Sequence, residues 1–482
     1  MKNKKNRVTS GLFWTFSERI TAQLVSTIVM IILARILDPE HYGIISIVTV
    51  FISVCNIFVT SGFGSSVVQK KEVTETDFNT AFLLSFGISV ILYCIVFFGA
   101  PYVASFYEIN ELTWVIRVMG LRLPLAAFNS IQHAYIQREM KFKKFFIATL
   151  FGTIISAIVG ITFAKLGFGV WSLVAQYLTN TTIDSIALLF VSQWRPKLEY
   201  SREKAKYIFS FGWKVLLTNL VFTLENDIRS LIIGKVFGKS DLAYYDQGKK
   251  YPSLLVTNLN SSISKVMLPT YSRKQDDEEI LKGLLRKTIR IGIYLLTPLL
   301  IGFALVSKNF VIVVLTDKWL PAVPYIQLFC VSYLTRPLES SCHQALLAIG
   351  KSDLVLRVMI VVNVFALITV IVAVFVFKSV FLIAVGSVLS SIVSLLSFMQ
   401  ILKKQIKYTV KEQFNDLAPT FMITIIMGIL VCLIDFIGLK PLYGLILQIG
   451  IGACSYIILS KLFKIKQFYE LKDKIISRKE IQ

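Results

Sequence analysis

Apolar residues run through this chain in long blocks broken by short polar segments, and the blocks are the length of membrane-crossing helices. About 20 largely apolar residues cross ~30 Å of hydrocarbon as a helix. The pattern predicts fourteen spans, near 11–37, 41–63, 78–99, 112–137, 145–164, 169–192, 207–234, 241–271, 287–307, 324–349, 354–377, 379–402, 414–436 and 441–460. The stretch from Val358 to Phe377 has no acidic or basic side chain. That continuity excludes the alternating period of a membrane barrel, and lipid offers the backbone no partners, so each span must close its own hydrogen bonds as a helix. The prediction is an all-α polytopic membrane protein.

Composition agrees with the pattern. Of 482 residues, 55% are hydrophobic and 17% charged, and the mean hydropathy is +0.68. A soluble domain carries roughly a quarter charged residues. The formal charge of +22 points first to polyanions. The bases, however, gather in alternate loops: with the N-terminus cytoplasmic, 33 Lys and Arg fall in inner segments and 7 in outer ones. This is the positive-inside pattern, with both termini inside, and it leaves no basic patch on a nucleic-acid fold. Lys2, Lys4, Lys5 and Arg7 ahead of an apolar run look like a secretory signal, but Glu18 and Arg19 break the run, so an uncleaved first helix is expected. The six cysteines lie apart with no CxxC pair, so neither a disulfide framework nor a zinc site is expected. Gly234 to Ser240 imitates a phosphate loop but has three residues between its glycines where four are needed.

An internal repeat organises the spans. Residues 31–46 align with 231–246, setting Arg35 against Lys235 and Gly43 against Ala243. Further along, Arg122-Leu-Pro124 in the fourth span matches Arg336-Pro337 in the tenth. Six helices duplicated, with two added, is the expected plan. Residues 1–192 form an N-lobe, 193–206 a cytoplasmic linker and 207–402 a C-lobe, followed by two helices in 403–463 and a basic tail, 464–482. Two such halves with a site between them are a common transporter layout.

Apart from Lys287 and Arg290, counted with an inner segment, eleven Lys and Arg fall inside spans, where a charge facing lipid costs about 3 kcal/mol or more. At about 100° per residue the polar positions align into stripes: Arg19, Gln23 and Ser26; Arg122, Asn129 and His133; Gln176, Asn180 and Asp184; Lys214, Thr218, Glu225 and Arg229; Lys249, Ser253 and Asn260. A wet cavity lined this way is basic and suits an anionic headgroup, above all phosphate. The candidate headgroup contacts are Arg122, Lys249, Lys250, Arg336, Lys214 and Arg19, with Asn129, Asn219 and Asn260 toward sugars. Asp184, Glu225 and Glu18 are the candidate ion carriers. Internal pairing, as of Arg336 with Glu339 at i,i+3, is the competing explanation.

Three segments carry a family resemblance: Leu37-Asp-Pro-Glu-His-Tyr-Gly43, Gln137-Arg-Glu-Met-Lys-Phe-Lys-Lys144 and Gly167-Phe-Gly-Val-Trp-Ser-Leu-Val-Ala-Gln176. With them the chain resembles the Wzx-type polysaccharide flippases of the multidrug/oligosaccharidyl-lipid/polysaccharide exporter superfamily, nearest the colanic-acid and teichuronic-acid exporter branch. The resemblance implies two six-helix lobes around a cavity and transfer of an undecaprenyl-pyrophosphate-linked oligosaccharide outward across the bacterial cytoplasmic membrane. It implies no cofactor or resident metal. Its implied partners are the polyprenyl-linked substrate, membrane lipids, H+ or Na+, and polysaccharide polymerase or other biosynthesis proteins. Two rival functions are a multidrug or cation antiporter, which would favour carboxylates over bases, and a membrane glycan polymerase. A polymerase would need acidic or histidine-bearing outer loops, and here only Glu108 and Glu111 pair carboxylates outside.

Overall fold

The computed structural model describes Thr21 and residues 23–479, apart from 71, 140 and 141. Arg19 and Glu18 lie outside the described residues. Every regular element among the described residues is a helix. In chain order these are α1 (Gln23–Ile36), α2 (Pro39–Thr60), α3 (Phe63–Gln69), α4 (Glu75–Tyr107), α5 (Leu112–Gly120), α6 (Arg122–Glu139), α7 (Phe142–Lys165), α8 (Val170–Val191) and α9 (Arg202–Val236). They continue with α10 (Lys239–Ser272), α11 (Glu278–Phe310), α12 (Val323–Tyr333), α13 (Arg336–Ala348), α14 (Ser352–Phe375), α15 (Val380–Gln405), α16 (Val410–Asp435), α17 (Pro441–Leu462) and α18 (Lys466–Lys479).

Seven helical segments among the described residues are long and apolar enough to cross a membrane: 39–69, 75–107, 278–315, 352–375, 380–405, 410–435 and 441–462. The chain is a multi-pass membrane protein. Two of the fourteen predicted spans are not single helices. The fourth is α5 and α6, broken at Leu121, and the tenth is α12 and α13, broken at Leu334 and Thr335. In each the second piece opens on an arginine followed within two residues by proline, which lacks the N–H a continuous helix requires. The repeated Arg/Pro signature thus marks the same structural event twice.

Two compact units divide the chain, residues 1–243 and 244–482. In the first, α7 and α8 form the most extensive pairing, made close by small residues. A Cβ at Gly160 would stand 2.9 Å from the Gln176 Cβ, and one at Gly152 would stand 3.6 Å from the Asp184 nitrogen. The segment after α8 is pinned to this unit. Trp194 is buried against Phe78 and Phe82, a burial contributing about 2–3 kcal/mol. Its Nε1 donates to Asn79 Oδ1 at 3.2 Å, and the same oxygen accepts from the Lys197 backbone N–H at 3.2 Å. Lys197 meets Glu75 at 2.8 Å, and the Ser201 N–H donates to Thr80 Oγ1 at 3.2 Å. From there α9 lies along α2, α3 and α4. Gly62, at φ +95°, makes this approach feasible, since a Cβ there would fall 2.4 Å from the Gly212 Cα. Asn219 Nδ2 donates to Ser61 Oγ at 3.0 Å. The C-terminal end of α9 is held by Lys235 on Glu108 at 2.8 Å and by the Tyr107 hydroxyl on the Leu231 carbonyl at 3.2 Å.

In the second unit an apolar core joins α11, α13, α14 and α15 around Leu285, Leu338, Cys342 and Leu402. Helices α16 and α17 pack on α11, and the junction is charged at one end. Arg286 donates to Asp416 through Nε at 2.7 Å and Nη2 at 2.9 Å. The Tyr408 hydroxyl donates to Asp416 Oδ2 at 2.8 Å, and Lys282 reaches Glu412 at 2.8 Å. A capping box of Thr409 and Glu412 starts α16 at this corner. Lys282 and Arg286, two of the bases that the sequence predicts in inner segments, therefore also fasten one helix to another.

Candidate functional site

The break before Arg122 sets the side chains that follow it on the face of α6 turned to α8. There Arg122, Asn129 and His133 on α6 meet Tyr177, Thr181 and Asp184 on α8, whereas Asn180 of the predicted α8 stripe turns to α7. Arg122 Nε donates to Thr181 Oγ1 at 3.2 Å, and its guanidinium carbon lies 5.2 Å from the centre of the Tyr177 ring. The Thr181 hydroxyl donates to the Tyr177 carbonyl at 3.0 Å. Asn129 Nδ2 donates to the Thr181 carbonyl at 3.4 Å, and His133 Nε2 stands 3.7 Å from Asp184 Oδ2. Asn180 Nδ2 donates to Ser156 Oγ on α7 at 3.4 Å. Asn129 Oδ1 and Asp184 Oδ1 are both buried without a hydrogen-bond partner among the described residues. Gln176, the third member of the α8 stripe, packs its stem against Gly160 of α7.

No carboxylate among the described residues pairs with Arg122. The stacked Tyr177 ring supports the cation without neutralising it. Its counterpart in the expected repeat is set differently: Arg336 Nη1 lies 3.6 Å from Glu339 Oε2 and its guanidinium 5.7 Å from the Tyr333 ring, while Thr335 Oγ1 donates to Glu339 Oε1 at 2.8 Å. The i,i+3 pair weighed above is thus present, on an exposed arginine. Sequence reasoning named Arg122, Asn129, His133, Asn180 and Asp184, but missed Tyr177 and Thr181. For Thr181 the signal was the run Thr179-Asn-Thr-Thr182, polar on every side of the helix.

The other candidates are placed separately. Lys214 and Asn219 are exposed on α9, Arg229 is half-buried, and the side chain of Glu225 lies outside the described residues. Lys214 and Arg229 have no ion pair among the described residues. In the second unit Lys249 is half-buried, Lys250 is exposed, and Asn260 Oδ1 is buried without a hydrogen-bond partner among the described residues.

Residues 32–324 match the polysaccharide biosynthesis protein family. The chain belongs to that family. It is 23% identical to the teichuronic acid biosynthesis protein TuaB of Bacillus subtilis, covering 99% of both chains. It is 23% identical to the lipopolysaccharide biosynthesis protein WzxC of Escherichia coli K12, over 73% of this chain and 72% of that protein. Among solved structures it is similar to the lipid II flippase MurJ in an inward closed conformation, at TM-score 0.77 and 13% identity, covering 94% of this chain and 98% of that one. An inward-facing multidrug transporter of the MATE family gives TM-score 0.60 at 15% identity, over 80% and 96% of the two chains. The family member therefore has the fold shared by these two transporters.

Proposed function

We propose that this family member is a flippase that carries a polyprenyl-diphosphate-linked oligosaccharide repeat unit outward across a bacterial cytoplasmic membrane, with both termini on the cytoplasmic side. One observation carries the reading: Arg122, in the middle of the fourth predicted span, keeps its charge free of any described carboxylate and is held on an aromatic ring. A cation so placed costs energy unless it serves an anion, and a diphosphate ester is the anion that the family resemblance implies for the substrate. The names of TuaB and WzxC, and the fold of a lipid II flippase, support the same substrate class. Lys249, Lys250 and Arg336, with Lys214 and Arg19, are further cationic contacts along the headgroup's path, while Asn129, Asn219 and Asn260 meet sugar hydroxyls. The chain acts as a transporter rather than a catalyst, working by alternating access and drawing on an H+ or Na+ gradient. Asp184, beside His133, is the first residue to test for coupling, then Glu225 and Glu18. The excess of bases over acids among the candidate contacts disfavours cationic drugs as cargo.

The test uses vesicles reconstituted with the full chain and a fluorescent polyprenyl-diphosphate oligosaccharide, with an impermeant quencher added outside. Transfer between leaflets above protein-free vesicles is expected, falling at least tenfold with Arg122→Ala at matched incorporation. Equal transfer by protein-free vesicles, or an Arg122→Ala variant as fast as the parent, overturns the proposal.

A further inference from the structure

The surroundings of Arg122 determine which of its edges can meet a phosphate, and this deepens the reading above, on which it rests. A guanidinium offers a bidentate anion either its Nε–Nη2 edge or its Nη1–Nη2 edge. Here Nε is engaged by Thr181 Oγ1 at 3.2 Å. That oxygen presents a lone pair to Nε because its single hydrogen is committed to the Tyr177 carbonyl at 3.0 Å. The guanidinium rests against the Tyr177 ring at 5.2 Å, so rotation about the end of the side chain is restrained from a second direction. Asn129, about two turns further along α6, donates from Nδ2 to the Thr181 carbonyl at 3.4 Å and ties α6 to the same residue of α8. The Nη1–Nη2 edge accordingly remains for a ligand, with no carboxylate among the described residues to compete for it.

We infer that Thr181 and Tyr177 are positioning residues, which hold the Arg122 guanidinium so that its Nη1–Nη2 edge takes two oxygens of the diphosphate headgroup. Neither touches the substrate. Arg336, balanced by Glu339, does not duplicate this arrangement, so recognition of the headgroup is unequal between the two repeats. A fork held in one orientation loses less side-chain freedom when it binds a planar pair of oxygens, which is where the affinity arises.

The measurement is leaflet transfer of a short-chain polyprenyl diphosphate in reconstituted vesicles, with KM and kcat separated. Thr181→Val removes the oxygen at constant volume and should raise KM about 3- to 10-fold, the size of one lost hydrogen bond, with kcat within twofold. Thr181→Ser keeps the oxygen and should restore KM to within twofold of the parent. Tyr177→Phe keeps the ring face and should match the parent, whereas Tyr177→Leu should raise KM about threefold. If valine disturbs packing, read as a lowered melting temperature, Thr181→Ala tests the same oxygen and should give the same rise in KM. A raised KM for Arg122→Ala, with Thr181→Val, Thr181→Ala and Tyr177→Leu all unchanged, overturns the positioning roles alone. An unchanged KM for Arg122→Ala removes the headgroup assignment itself, and the positioning roles with it. A fall in kcat at constant KM in the Thr181 variants, unrescued by serine, assigns the residue to the transport movement and also overturns the inference.

Discussion

Asp416 joins α16 to α11, and removing its charge measures what that junction contributes. Its carboxylate is nearly buried, 8% exposed, and it accepts Arg286 Nε at 2.7 Å, Arg286 Nη2 at 2.9 Å and the Tyr408 hydroxyl at 2.8 Å, with Arg290 at 3.7 Å. Breaking a fully buried ion pair from one side costs about 3–5 kcal/mol, because the remaining charge is stranded. Arg286 keeps 31% of its side chain exposed and retains Glu412 at 3.5 Å, so much of its charge stays compensated. For Asp416→Asn the loss is therefore set at about 2–3 kcal/mol, close to one or two charge-assisted hydrogen bonds. At about 2–4 °C per kcal/mol for a unit of this size, the melting temperature in detergent should fall by about 4–12 °C. Replacing both partners, as in Arg286→Met with Asp416→Leu, should recover a large part of that fall, since the Arg286 charge is then no longer stranded and only Arg290 loses its more distant 3.7 Å partner. The assay is tryptophan fluorescence or size-exclusion after heating, at constant detergent and salt. A shift below 1 °C for Asp416→Asn, or a double variant whose loss equals the sum of the two single losses, would refute the coupling.

Three further outcomes follow from the same geometry. Gly62→Ala meets the Gly212 Cα at 2.4 Å from a φ of +95°, a backbone region costing an alanine about 1–2 kcal/mol, so monodisperse yield should fall sharply. Gly212→Ala, whose nearest contact is 3.3 Å, should be milder, and a Gly62→Ala protein as stable as the parent would contradict the close approach. Asn79→Leu strands the donors of Trp194 and Lys197, at a cost of about 2 kcal/mol, and should speed trypsin cleavage at Lys197 and Arg202; unchanged cleavage would show the segment is held by something else. Glu108 is held below the usual carboxylate range by Lys235, so its small stabilisation is present above that range and fades as pH falls through the depressed value. Because that pair is solvent-exposed, Glu108→Gln should move the melting temperature by less than about 1 °C at pH 7, and a larger loss insensitive to salt would contradict it.

Apolar patterning alone was enough to read the class of molecule, because a membrane helix satisfies its backbone within its own segment and writes that requirement as an unbroken apolar run. Val358 to Phe377 could be read with no knowledge of any neighbour. The repeated arginine and proline of the fourth and tenth spans were legible as a pair, and so were the polar stripes of α6 and α8, since both depend only on helical periodicity. The tertiary structure decided which polar groups meet. Whether Arg122 would find an acid or an aromatic ring depended on which turn of α8 packs against α6, and no spacing along one helix encodes that distance. The same holds for Asn79, an ordinary polar residue at a helix start until Trp194 and Lys197, more than a hundred residues later, converge on its oxygen. It holds again for the glycines at 62 and 212, whose missing side chains acquire a purpose only where two backbones touch.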